Sequence, residues 1–402
     1  MDDQRSRAQI LSVTLVTLLL LDDLVQMVLL PLMPSFIQIH QWAAWQAGVV
    51  LGGSTIGLIL LSPVMGYWLA HGARAHLWFV VSAVATVGAV FALGQSDRFW
   101  AFAVATGVLG LAQASLSPVL FGSLGTLLPT NQRKVRFVLI NRVAILGALL
   151  TPLLSAGLLA VLGAHTTFLV IAACLGIVTL GGASRIPPTI DRPISDSGGA
   201  RPNRAPLFWA VLVMAIVGLF EVLLPLRLAG PLHWTPADTA LYYCGLGIIV
   251  AATQWGAEHC TALGSPVRRL VIAVIWLIAG IATLPWIQAP WPFAITAWGI
   301  APAIGILLDL VFERAGEAPD AAIGFGWLEA ALAAGSLVGT AGGGAMISWG
   351  GWPLPLWLLT AVLILTMIVL GVYPPALAWL RPGRASPHAE GPGMENPSRL
   401  RD

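Results

Sequence analysis

Ionisable residues stand inside long apolar runs, where charge is least expected, among them Asp22, Arg142, Glu221 and Glu329. A charged side chain at mid-bilayer costs about 2.5–3.5 kcal/mol on insertion scales, so each is a functional candidate by default. Asp22 lies roughly thirteen residues into its run and Glu221 roughly fifteen into its own. At a helix rise of about 1.5 Å per residue these are depths of about 20 Å and 22 Å, near the midplane. Acids at such depth serve as proton carriers or as partners for a cationic solute. Asp22 and Glu221 are therefore the candidate proton-coupling pair. Gln26 shares the face of Asp22 one turn further on, and Asp22, Gln26, Glu221 and Arg142 are the candidate substrate contacts. Asp23 points about 100° away from Asp22, toward a neighbouring helix. For either midplane acid, a structural bond to a neighbouring helix is the alternative; for Arg142, it is snorkelling to cytoplasmic water.

The elements that must position these residues follow from composition. Of 402 residues, 57% are hydrophobic and only 9% charged, with a mean hydropathy of +0.85. Soluble domains carry about 25% charge, so a globular enzyme, a disordered chain and a nucleic-acid binder are excluded. Cys174, Cys244 and Cys260 fall in apolar runs without metal-ligand spacing and read as core packing residues. About 20 apolar residues make a spanning helix. Twelve such stretches lie near 9–36, 43–70, 76–95, 99–125, 137–162, 166–184, 206–229, 238–262, 269–288, 291–312, 322–348 and 352–375. They predict an all-α polytopic membrane protein of twelve helices. The first stretch lacks a small-residue cleavage site and reads as a retained helix.

The polar stretch SRIPPTIDRPISDSGGARPNRAP divides the chain: a six-helix bundle over 1–184, a cytoplasmic linker over 185–205, a second bundle over 206–375 and a cytoplasmic tail over 376–402. Basic residues set the orientation. With the N-terminus inside, Arg5, Arg7, Arg74, Arg133, Lys134, Arg136, Arg268, Arg269, Arg314 and the linker and tail arginines are all cytoplasmic, and both termini are inside. Arg98 and Arg227 fall at outer ends. Trp42, Trp45, Trp234, Trp286, Trp291, Trp349 and Trp352 cluster at outer ends as an interfacial belt, and His40, His165 and His233 read as outer-loop surface residues. Glu258, Asp309 and Glu313 lie near cytoplasmic ends, as solvated or gating groups. No phosphate loop, nucleophile elbow or metal-ligand pair is present, so no enzyme activity, cofactor or metal is expected.

The two halves share faint internal symmetry. Val28-Leu29-Leu30-Pro31-Leu32 in span 1 recurs as Val222-Leu223-Leu224-Pro225-Leu226 in span 7. Gly147-x3-Thr151-Pro152-x2-Ser155-Ala156 in span 5 matches Gly335-x3-Gly339-Thr340-x2-Gly343-Gly344 in span 11, and such small residues let helices approach closely. Asp22 followed by Pro31-Leu32-Met33-Pro34, the junction from Leu61-Ser62-Pro63-Val64-Met65-Gly66 to Arg74, and the span 5 pattern together resemble the major facilitator superfamily. Within it they are similar to the twelve-span drug:proton antiporter-like exporters. The chain departs from that pattern at Ala70, Ala73 and Ala75 in the span 2–3 loop, at Thr106 in span 4, and at Thr151, Ser155 and Ala156 in span 5.

The resemblance implies an alternating-access carrier driven by protons, whose partners are a small-molecule substrate, protons and lipid. A monomer in a bacterial inner membrane is expected. Export of a drug, metabolite or siderophore-like compound leads; import of a small polar solute and a transport-silent membrane sensor are the alternatives. In the resembled family the loop acid helps lock the cytoplasmic side against span 11. With Ala70 in its place, the lock is expected from Arg74 or Arg142 against Glu329 or the acids near Asp320.

Overall fold

The computed structural model describes residues 9–14, 16–18, 20–21, 24–25, 27–32, 41–70, 73–96, 98–127, 130–186, 204–228, 232–259, 265–315 and 321–372; side chains are not described at 70, 117, 121–122, 124–127, 130–149, 204, 236, 255, 257–259, 313–315 and 321–325. Every described residue between 9 and 32 is helical, forming α1. There follow α2 (Ala44–Ala70), α3 (Ala75–Gly94), α4 (Phe99–Leu127), α5 (Thr130–Ala183), α6 (Arg204–Leu228), α7 (Pro236–His259), α8 (Pro266–Thr283), α9 (Pro290–Ala315), α10 (Ala321–Leu337), α11 (Gly343–Gly350) and α12 (Pro353–Val372). A π-turn over Val338–Gly342 joins α10 to α11. Among the described residues nine helices are long and apolar enough to cross a membrane. A helix is the only open segment that satisfies its own backbone in lipid, which is why apolar runs of this length fold so.

Local chemistry sets the breaks. Gly163 interrupts α5 with φ 72° and ψ 171°, a conformation glycine reaches without steric cost, so α5 is two helices joined at a reversal. The reversal falls between the two apolar runs 137–162 and 166–184. Ser265 caps α8 by accepting from the Arg268 amide at 3.3 Å, with Pro266 in the first turn. Thr235 and Asp238 cap α7 reciprocally: the Thr235 amide donates to Asp238 Oδ2 at 2.8 Å, and the Asp238 amide donates to Thr235 Oγ1 at 3.2 Å.

Two apolar cores form. One gathers buried side chains from α1 to α5, including Val28, Phe79, Phe102 and Phe168. The other gathers α6 to α12, including Ile216, Leu277, Phe293 and Leu363. The periphery is apolar too: Val161, Leu180 and Val372 are 82%, 77% and 79% exposed, as expected where the outer solvent is lipid. That outer solvent corrects two expectations. Cys174 is exposed on α5 rather than packed inside, because an apolar run in a membrane helix has a lipid face as well as a core face. Trp42 is buried, not interfacial: it sits edge-on to Phe99 and Phe102, at 5.8 and 5.9 Å between ring centres. Trp286, Trp291 and Trp349 are exposed.

Glycines bring the helices together. A Cβ on Gly110 of α4 would stand 1.7 Å from Ser54 O of α2, and one on Gly57 would stand 2.1 Å from Leu111 N. Across the two cores, α2 packs on α10 and α11, and α5 packs on α7. A Cβ on Gly48 would meet Thr340 O, one on Gly344 would meet Ala44 O, and one on Gly326 would meet Ser62 O. Those pairs define an antiparallel register over residues 44–62 of α2. At its N-terminal end the Trp45 amide donates to Ser348 Oγ at 3.2 Å.

Candidate transport site at the seam between the cores

The seam is built on α6, wedged between α10–α11 and the first core. A Cβ on Gly335 or Gly339 would stand 2.2 or 2.3 Å from Val211 O or Ala215 O, and one on Gly343 would meet Leu219. Nothing larger than hydrogen fits there. Gly218, on the adjacent face of α6, meets Ser336 O and Thr340 Cγ2. Thr340 is wholly buried and also closes against Gly48 and Gly52 of α2. It lies on the π-turn, a local geometry that recurs at functional sites.

Glu221 follows Gly218 by three residues and so shares its side of α6. It is half-buried. The next residue, Val222, belongs to the first core, while Leu219, Phe220, Leu223 and Leu224 belong to the second. Tyr243 of α7 donates its hydroxyl to Phe220 O at 3.1 Å, and Tyr243 and Ile347 pack against both cores. Glu221 thus stands at the line where the cores meet. It makes no hydrogen bond or ion pair among the described residues. Such an acid is placed to exchange a proton or to hold a cationic group when the seam opens.

Asp22, Asp23, Gln26, Asp320 and His40 lie outside the described residues, as do the side chain of Arg142 and the surroundings of Gly147. Their nearest described neighbours fix part of the frame. Val25 and Val28 are buried in the first core, and Ser155 Oγ donates to Met27 O, tying α1 to α5. Thr151 and Pro152 are buried on the same helix.

The inner-gate residues do not all converge. Arg74 is exposed at the start of α3, and Glu329 is half-buried on α10. In the register of α2 against α10, Glu329 is level with Ile59. The Ala73 amide donates to Trp68 O at 3.0 Å, so Arg74 lies near the C-terminal end of α2. At 1.5 Å per residue the two are separated by about 15 Å in depth alone, which takes Arg74 out of reach of Glu329.

Two charged groups hold partners that the sequence does not disclose. Arg269 of α8 donates from Nη1 to Asp309 Oδ2 of α9 at 3.1 Å, with the side chains 12% and 17% exposed. Arg227, in the last turn of α6, lies 4.7 Å over the Trp352 ring and 5.9 Å over Phe293. It donates to Gln288 O at 2.6 Å. No spacing rule links residues this far apart; an Arg at an outer end beside several aromatic residues is the one hint of a cation–π contact. His165 and His233 are exposed, and His165 Nδ1 shares a hydrogen bond with Gly94 O.

The model of the Major Facilitator Superfamily matches residues 15–325, and the chain belongs to that family. It is a multi-pass membrane transporter, not an enzyme. The fold is similar to the human organic anion transporter MFSD10 (TETRAN), at a TM-score of 0.63 and 17% identity over 90% of this chain and 99% of that one. It is also similar to a point mutant of the nucleoside transporter NupG, at a TM-score of 0.67 and 12% identity over 92% of this chain and 100% of that one. A second NupG structure scores 0.65 at 12% identity, over 90% and 99%. No curated protein sequence matches the chain. At these identities the likeness is one of fold.

Proposed function

We propose that the protein is a proton-coupled secondary exporter of a small organic molecule, working by alternating access as a monomer. In this reading twelve helices form two six-helix bundles, residues 1–184 and 206–375, in a bacterial inner membrane with both termini cytoplasmic. The observation that carries it is Glu221, half-buried at the seam with no basic partner among the described residues. Asp22 supplies the second acid, on the strength of its place in span 1, and Gln26 and Arg142 complete the substrate contacts. Rocking of one bundle against the other exposes these groups to each side in turn. The inner gate is assigned to Arg142 with Glu329, because Arg74 lies too far from Glu329; Arg74 is left to acids nearer the cytoplasm.

The test uses purified protein in liposomes with an imposed pH gradient and a panel of organic cations, zwitterions, organic anions and nucleosides. The anions and nucleosides are included because the structural neighbours bear those names. Substrate-dependent proton movement is expected, lost in Asp22→Asn. Preserved uphill transport in that variant would overturn the coupling assignment. Absence of any solute-driven proton movement across the panel would favour a sensor or assembly role. Proton movement in the same direction as the solute would make the carrier an importer.

A further inference from the structure

A groove of about 420 Å³ runs between the N-terminal turns of α1 and the last turns of α5, lined by Gln9, Val13, Thr14, Thr17, Val178 and Gly181. Its size is in the range of small-ligand sites. Close contact makes its floor: a Cβ on Gly182 would stand 2.6 Å from Thr14 Cγ2. Its rim is apolar and open, with Val13, Ile177 and Leu180 exposed by 61%, 71% and 77%. Thr17 donates its hydroxyl to Val13 O at 2.9 Å, so its methyl group is left to line the wall. Besides Thr14 and Thr17, polar groups gather toward one end. Gln9 is the first described residue of α1, and Ser184 and Arg185, both exposed, follow Gly181 by about one turn. The Arg185 amide donates to Gly182 O at 2.9 Å, holding that turn against the groove. The Arg185 guanidinium has no partner among the described residues.

We infer that this groove binds one anionic phospholipid, its acyl chain along Val13, Val178 and Gly181 and its phosphate on Arg185. A lipid fits because the walls of the cleft are mostly apolar and Arg185 stands about one turn beyond Gly181, past one end of the groove. The N-terminal side carries the basic loops, so that end lies at the cytoplasmic headgroups, where basic pockets between helices select anionic lipid. The inference is independent of what the carrier transports or in which direction.

Native mass spectrometry of the full chain in detergent, titrated with dioleoylphosphatidylglycerol and separately with dioleoylphosphatidylcholine, tests it. One phosphatidylglycerol should be retained, about fivefold more tightly than phosphatidylcholine, the ratio expected from about 1 kcal/mol for one basic residue near a headgroup. A side chain added at Gly181 meets nothing within 4 Å, so Gly181→Phe fills the groove without disturbing packing and should weaken retention about tenfold. Gly157, with equally open space but away from the groove, is the control, and Gly157→Phe should retain lipid. Arg185→Gln should abolish the headgroup preference while leaving chain binding. Equal retention of the two lipids by the parent chain, or undiminished retention in Gly181→Phe, would overturn the proposal. If Gly181→Phe does not fold, the preference lost or kept in Arg185→Gln decides.

Discussion

Alanine at Gly110 and at Gly107 should move stability in opposite directions, although the two glycines lie one turn apart on α4. At Gly110 the new methyl would stand 1.7 Å from Ser54 O, 2.4 Å from Ser54 C and 2.6 Å from Ser54 Cα, all backbone that cannot rotate aside. Ordinary contact begins near 3.4 Å, so α2 and α4 must part by about 1.7 Å. Overpacking of this kind costs about 1–3 kcal/mol, offset by about 0.8–1.0 kcal/mol from alanine's better helix propensity. Because the clash is with backbone on both helices, the cost falls at about 2–3 kcal/mol, the upper part of that range, and a net loss of about 1–2 kcal/mol follows. At Gly107 the methyl meets nothing within 4 Å, and the propensity gain of about 0.8–1.0 kcal/mol stands unopposed. The assay is thermal unfolding in detergent, followed by loss of the monodisperse size-exclusion peak. Gly110→Ala should melt about 2–4 °C lower than the parent, taking the usual scaling of about 2–4 °C per kcal/mol as an upper guide. Equal melting of the two variants, or a Gly110→Ala protein as stable as its parent, would refute the close approach of α2 and α4.

Arg269→Gln alone should destabilise the protein by about 2–4 kcal/mol, since it takes the guanidinium away from a nearly buried carboxylate, whereas Arg269→Met with Asp309→Leu should recover most of the loss. A double-mutant cycle by thermal unfolding measures this, and additive effects would reject the pairing. Arg227→Gln should cost about 1–2 kcal/mol through the lost cation–π contact with Trp352 and the charge-assisted hydrogen bond to Gln288; melting unchanged within error would show the contact to be idle. Glu329→Gln should raise the inward-open population several-fold, since a partly exposed ion pair of about 1 kcal/mol is enough to shift such a ratio. Cytoplasmic labelling of single cysteines lining the inner cavity reads it, and unchanged labelling would reject the Arg142–Glu329 gate.

Much of the helical frame is legible in the sequence, because lipid imposes one solution on any long apolar run. The reversal at Gly163 sits between two such runs, and the place of Glu221 well along α6 follows from counting residues. What stays hidden is tertiary. Position at an outer end suggests a belt for Trp42, yet its face is turned to Phe99 and Phe102. Apolar surroundings suggest a core place for Cys174, yet in a membrane they describe the outside as well. Arg269 and Asp309 are separate marks on two spans until α8 and α9 lie side by side. Arg74 and Glu329 can be paired by charge on paper; only the register of α2 against α10 separates them in depth. Spacing marks which face of span 11 is small, but it cannot name α6 as the neighbour on one side and α2 on the other.

The π-turn at Val338–Gly342 gives this chain an unusual tolerance of length at one point. A π-turn holds one residue more than the α-helix would use over the same rise, so losing one residue within it restores ordinary winding while the helix beyond keeps its phase. Gly344 would stay opposite Ala44, and Ser348 opposite the Trp45 amide. The same loss one or two turns further on, in plain α-helix, would turn everything beyond it by about 100°. The segment can therefore change in count at the turn, yet it cannot grow in size where Thr340 closes on Gly48 and Gly52.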